Sequence, residues 1–277
     1  MKNWITKLLY LLQAILQKRD KACPYCLYSP PKIVGKKKKI IDICYCTKCH
    51  LYWTNPIFKE KNFYSRLYET ESLSAAPLNE EDVRRLLRVN FSNSGKDFRK
   101  MLKWFKANSS GNKFLDFGSS WGYFLHQAKS FGFDATGVEI SDKRAEFGRK
   151  NLGVRILPNI DALISEGEKF DIVFSSNVLE HIGHEIKDIF SKLSSVLKED
   201  GLMVLEVPFF DMSRGKEIFS LMGAIHPLGF TEEFFTKNMP NYGLKAEVHY
   251  GYQDIVPGYK PKKDGQAKEL VIVCKKS

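Results

Sequence analysis

A glycine-bearing turn between an apolar run and a helical run constrains this chain more than any other stretch. Residues 113–128 read KFLDFGSSWGYFLHQA. Phe114-Leu-Asp-Phe117 leads into Gly118-Ser-Ser-Trp-Gly122, and Tyr123-Phe-Leu-His-Gln-Ala128 then takes up a helical period. The pattern predicts strand, turn and helix. A second strand signal, Ala135-Thr-Gly-Val-Glu139, ends in a carboxylate. Glycines admit a ligand close to the backbone, and a helix N-terminus offers N–H donors with no partner in the helix. A carboxylate about 20 residues on, at the next strand tip, is placed to accept from ribose hydroxyls.

The remaining periodicity extends this into an α/β chain. Phe170 to Asn177 reads as a buried parallel strand with a polar end, Glu185 to Leu197 as an amphipathic crossover helix, and Gly201 to Pro208 as the next strand. Residues 209–230 form an insertion, Thr231-Glu-Glu caps a short helix, and Leu244 to Tyr252 and Glu269 to Lys275 are two final strands. The 277 residues are enough for one such core and a small appended module. A net charge of +11 points to an anionic partner: nucleic acid, a phosphorylated substrate or an anionic membrane surface.

The appended module lies ahead of that core. Five of the six cysteines fall between Cys23 and Cys49. Cys23 and Cys26 form one C-x-x-C, Cys46 and Cys49 another, with nineteen residues between the pairs. That is zinc-ribbon spacing, because each two-residue knuckle turns two thiolates toward one point and zinc takes four soft ligands in a tetrahedron. We expect a structural zinc. Cys44 and His50 are spare ligands without knuckle spacing. Lys36 to Lys39 are expected at a hairpin tip, as a solvated loop rather than a phosphate contact.

Residues 1–21 carry apolar side chains at helical spacing, with Lys2, Lys7, Lys18, Arg19 and Lys21 around them. The apolar part is too short to span a bilayer. It suits a helix lying on an anionic membrane or, the reading preferred here, one docked on its own protein or a partner subunit. Tyr64 and Tyr68 belong to a helical pattern before a Ser/Ala/Pro stretch. Two further helices are expected, the first opening at Asn79 with Val83, Leu86, Leu87 and Phe91 inward, the second after Gly95 with Phe98, Met101, Leu102 and Phe105 inward. No secretory signal is recognisable, and the expected location is cytoplasmic, with membrane contact through residues 1–21 open. The expected divisions are an N-terminal helix (1–21), a zinc ribbon (22–56), a helical cap and linker (57–108) and the α/β domain (109–277).

Taken together, these motifs resemble those of class I S-adenosylmethionine (SAM) methyltransferases over roughly residues 95–275. Asp116, Gly118 and Gly122 match the family's first motif, while Ser120 and Trp121 stand where Gly and Thr are commoner. A dinucleotide fingerprint would need a glycine at Ser120 and a third one further on. FDIVFSSNVLEHI (170–182) and LKEDGLMVLEVP (197–208) resemble the later motifs in the same order. The resemblance implies a Rossmann-like sheet of seven strands whose last hairpin is antiparallel. It implies Asp116, Gly118 and Gly122 at the methionine end of SAM, Glu139 on the ribose, Asp161 at the adenine edge and Asn177 at the floor.

CPYC…CTKCHLYWTNP resembles the segment ahead of a branch that methylates sugars in surface-glycan or secondary-metabolite pathways. In that branch histidines after the fourth strand and in the later insertion act near the substrate. The matching residues are His181 and His226, the candidate bases, although Ile225 stands where the branch has an acidic neighbour. Each histidine also has a purely structural reading, as a tie between strand and helix or as a loop residue against Pro227. The expected acceptor is a small sugar or glycan-related molecule. Two alternatives stand beside it: an rRNA or tRNA base methyltransferase with a zinc module, disfavoured because Asn177-Val-Leu-Glu180 replaces an Asn/Asp-Pro-Pro-aromatic motif, and a zinc-ribbon scaffold without catalysis.

Overall fold

A computed structural model of the chain describes residues 15–57, 78–210, 221–260 and 269–276. Within these residues the chain builds two sheets. The first holds β1 (Lys32–Lys37), β2 (Ile41–Tyr45) and β3 (Tyr52–Asn55), all antiparallel. Its fourth strand, β9 (Leu228–Gly229), comes from about 175 residues further on and pairs with β3 through Tyr52 and Trp53. The predicted ribbon is therefore completed by the α/β part of the chain. Lys38 and Lys39 sit at the hairpin tip with positive φ, as the charge run suggested. Lys37 departs from the solvated-loop expectation. It is turned inward, with its ammonium donating to the Met222 carbonyl.

The second sheet has seven strands. β4 (Lys113–Phe117), β5 (Asp134–Val138), β6 (Arg155–Leu157), β7 (Phe170–Ser176) and β8 (Leu197–Pro208) run parallel, while β11 (Glu269–Lys276) pairs antiparallel with β8 and with β10 (Leu244–His249). The spatial order is β10-β11-β8-β7-β4-β5-β6. From β4 the chain winds outward through β5 and β6, then returns to place β7 on the other side of β4. That reversal opens a crevice at the carboxyl ends of β4 and β7, where open α/β sheets bind ligands.

Helices cover both faces. α1 (Glu80–Arg88) starts at Asn79, whose side chain and Asp82 form a reciprocal cap. Within α1 only Val83 is buried, and Phe91 is buried beyond its end. α2 (Arg99–Asn108) buries Met101, Leu102 and Phe105, as its periodicity required. Together with α3 (Tyr123–Ser130) and α4 (Asp142–Phe147) they close one core around Phe114, Phe124 and Phe174. The opposite face is covered by α5 (Ile160–Ser165), α6 (Ile186–Val196), α7 (Glu232–Asn238) and the ribbon itself. Cys44, Leu51 and Trp53 share one continuous core with Phe190, Phe230 and Phe234.

Residues 1–14 of the expected N-terminal helix lie outside the described residues, as do Tyr64 and Tyr68. The end of that segment is tied to the ribbon: Gln17 donates to the Ile57 carbonyl at 2.6 Å, and Asp20 and Asn55 exchange hydrogen bonds at 2.8 and 2.9 Å. Among the described residues no helix is long and apolar enough to cross a membrane.

Candidate functional site

The loop after β4 folds as its glycines require. Gly118 and Gly122 have φ of +87° and +78°, and a Cβ on Gly118 would collide with Val178 at the end of the neighbouring strand. Ser120, between them, also has a positive φ, +51°. The backbone shape thus fits the glycine pattern even where a serine replaces glycine. Trp121 belongs to the core that Val83, Phe124 and Phe147 share. It is buried against Phe147 and donates its Nε1–H to the Leu78 carbonyl at 2.6 Å, anchoring the residue before α1.

Two buried carboxylates face this loop. Glu139, just past β5, accepts the backbone N–H of Ser120 at Oε2 and that of Ser141 at Oε1, both at 2.8 Å. Each oxygen keeps a lone pair for a further donor. Burial raises the Glu139 pKa against these hydrogen bonds. Asp116, at 4% exposure, is pushed up to about 8 by burial and by the charge of Glu139. The hydroxyls of Ser119 and Ser120 are buried with no hydrogen-bond partner among the described residues. Buried groups of this kind normally have partners. A cationic ligand bearing hydroxyls and an amine would satisfy all four side chains, and SAM, with its sulfonium, ammonium and ribose diol, has that chemistry.

The other wall comes from the end of β7. Asn177 has φ +54°, and its N–H donates to the Glu206 carbonyl at 2.9 Å, tying the β7 tip to β8. Glu206 accepts from the Tyr252 hydroxyl at 3.2 Å and from Ser176 Oγ. A one-turn 3-10 helix, Leu179–His181, follows. His181 is held through Nδ1 to the Ile225 carbonyl, and its ring meets His226 edge-on with centroids 4.7 Å apart. His226 Nδ1 lies 3.0 Å from the Leu221 carbonyl. Burial lowers both imidazole pKa values, that of His181 to about 4 with help from His226. The two histidines proposed from sequence, 45 residues apart, are thus in contact.

Asp161 does not join them. It opens α5, its side chain is 66% exposed, and it pairs with Lys192 of α6 at 2.8 Å. Conversely, Glu180 was not singled out from sequence. Its carboxyl is fully buried, and burial with the charges of Glu206 and Glu269 pushes it up to about 8. Glu206 was missed too, although a lone acid within the apolar run Leu202 to Val207 was a usable signal.

In the ribbon, the sulfurs of Cys23, Cys26, Cys46 and Cys49 all lie within 4.8 Å of one another. Cys23 and Cys49 approach to 3.5 Å, Cys26 and Cys46 to 3.4 Å. Four sulfurs about 2.3 Å from a tetrahedral zinc would be about 3.8 Å apart, so the set fits that ion with little movement. Cys44 is buried away from this group, and His50 is engaged by Tyr45 and Lys237.

A family model described as a methyltransferase domain matches residues 82–247, more than half of the chain. The chain belongs to this family. The match begins in α1 and ends in β10, so the ribbon precedes the methyltransferase domain. Solved structures share the fold at low identity. A TehB-like SAM-dependent methyltransferase from Corynebacterium glutamicum is 18% identical, with a TM-score of 0.51 over 72% of this chain and 97% of that one. The CcbJ methyltransferase from Streptomyces caelestis is 14% identical, with a TM-score of 0.53 over 67% and 98%. The plantazolicin methyltransferase BamL, solved with a triazolic desmethylPZN analog and SAH, is 16% identical, with a TM-score of 0.51 over 78% and 99%. No curated protein sequence matches the chain.

Proposed function

We propose that this methyltransferase moves the sulfonium methyl of SAM onto a small, sugar or glycan-related acceptor, with a structural zinc holding the ribbon. The observation that carries the reading is the crevice at the β4/β7 reversal. There Asp116 in β4 feels the charge of Glu139 past the β5 tip, the loop after β4 carries the unpartnered Ser119 and Ser120 hydroxyls, and the His181–His226 pair follows the end of β7. In it, Gly118 and Gly122 let SAM approach the backbone, Glu139 takes the ribose diol, and Asp116 balances the cationic methionine end. Asn177 forms the floor. Asp161 reaches the adenine edge only by leaving Lys192.

Methyl transfer asks little covalent chemistry of the protein. The sulfonium carbon is already electrophilic, so alignment and exclusion of water supply most of the acceleration. The histidine pair activates the acceptor's nucleophilic group. The sugar reading draws on the ribbon motif, and on β9, which seats the ribbon beside the His226 loop. Product mass spectrometry with labelled SAM, nucleotide sugars and glycan extract tests it. Label in that pool supports the reading. Label in purified RNA alone replaces it with base methylation. His226→Ala is expected to keep SAM affinity and lower turnover at least tenfold; an unchanged rate removes His226 from the mechanism.

A further inference from the structure

Glu180 is not used by methyl transfer as described so far. Its side chain is 2% exposed, and neither carboxylate oxygen accepts a hydrogen bond among the described residues. Burying a carboxylate without a partner is strongly unfavourable. Glu206 and Glu269 lie near enough to add negative charge. Among basic groups, Lys37 acts on His226, and its ammonium is engaged by the Met222 carbonyl.

Three ligand atoms converge here. One from each of Glu180, His181 and His226 lies within 4.8 Å of the other two. Ligands about 2.1 Å from a common ion stand up to about 4.2 Å apart, so small side-chain rotations close the set. Both imidazoles are oriented through Nδ1 by a backbone carbonyl, Ile225 for His181 and Leu221 for His226. That is how ligating histidines are usually held, with Nε2 toward the ion. His181 Nε2 is also the atom 3.7 Å from Glu180 Oε1.

We propose that Glu180, His181 and His226 form a divalent-cation site of the two-histidine, one-carboxylate type, and that the cation holds the acceptor through its reacting hydroxyl and a neighbouring oxygen. This specifies how the histidine pair activates the acceptor, and so rests on the crevice being a methyltransferase site. Imidazole with carboxylate suits a first-row ion such as Mn²⁺, Fe²⁺, Co²⁺ or Zn²⁺, with positions left open for oxygen. A hydroxyl whose oxygen lies on such an ion ionises more readily. Its proton passes to solvent, the O–C bond forms as the C–S bond breaks, and sulfur keeps the electron pair as a neutral thioether. The acceptor class is then a vicinal diol or α-hydroxy acid rather than an isolated alcohol.

The test uses the full chain with its ribbon zinc in place, freed of loosely bound metal and titrated with Co²⁺ in the absorption spectrometer. One ion per chain is expected, with weak visible bands and no sulfur-to-cobalt charge transfer. Glu180→Gln and His226→Ala should each weaken it at least tenfold, while calorimetry with SAM on the same samples stays unchanged. If Glu180→Gln loses its native circular dichroism, His226→Ala decides alone. No bound ion at millimolar Co²⁺, a charge-transfer band that places the ion on the cysteines, or variants that bind like the parent would overturn the proposal. SAM binding without the ion sinks only this site; ion binding without SAM sinks the methyltransferase reading and leaves the ion.

Discussion

Glu139 Oε2 accepts the backbone N–H of Ser120 at 2.8 Å, so the carboxylate at one strand tip fixes the shape of the loop on its neighbour. The same side chain holds Ser141 at the start of α4. Glu139→Ala orphans two N–H groups, each worth about 1–3 kcal/mol when left buried and unpaired. We expect a stability loss of about 2–4 kcal/mol in urea unfolding, together with at least a tenfold loss of SAM affinity by calorimetry.

Ser120 occupies left-handed backbone that costs a side chain about 1 kcal/mol. Ser120→Gly should therefore raise the melting temperature of the ligand-free protein by about 2–4 °C, while weakening SAM binding by the loss of the hydroxyl that the ligand would satisfy. Ser120→Val should lower the melting temperature, because a β-branched residue tolerates that backbone least. A glycine variant less stable than the parent would mean that the serine hydroxyl has a partner worth more than the strain.

Asp116 gives the ligand-free protein a definite pH response. Its folded pKa of about 8 lies above the unfolded value of about 3.9. Between those values the folded state keeps a proton that the unfolded state releases. Stability therefore falls as pH rises through the window. Glu139, also raised, adds to the slope in the same direction. Urea midpoints measured from pH 5 to pH 8 should decline, and Asp116→Asn should make the decline shallower, leaving the share of Glu180, which burial also raises to about 8. Saturating SAM, whose positive charges favour the ionised carboxyl, should flatten the decline too.

Much of the crevice was legible because it is local. The apolar run into Gly118, the helical period after Gly122 and the acid at Glu139 all fall within 30 residues and obey short-range rules. Glu180 was hidden for the opposite reason: its burial and its approach to His226, 46 residues away, exist only in the fold. Trp121 read as a change in the cofactor loop, but its partner is Leu78, 43 residues earlier. Asp161 was placed by the family resemblance alone, and nothing in the sequence announced Lys192 on the next helix. β9 is two residues long, too short for a periodicity signal, and it exists because β3 offers an edge.

If the four cysteines hold a structural zinc as proposed, its loss should reach the acceptor side. Cys46→Ser removes one corner of the sulfur cluster between β2 and β3 and, unlike chelation, leaves the Glu180–His181–His226 cluster untouched. Since β3 carries β9 and β9 follows His226 by two residues, turnover should fall at least tenfold while SAM affinity changes little. Calorimetry and initial rates on the same Cys46→Ser sample, with divalent cation supplied, check this. Equal losses in both would mean global unfolding.

The shared core of Cys44, Trp53, Phe230 and Phe234 also bears on how the chain can be cut. A fragment starting at Leu78 would keep all seven strands of the large sheet, yet Phe230 and Phe234 would face water across a surface shaped to receive indole and thiol groups. Such a fragment should self-associate on expression, and adding back a peptide of residues 15–57 with zinc should return it to a monodisperse state. By this logic the ribbon's first duty is to be the missing half of a wall.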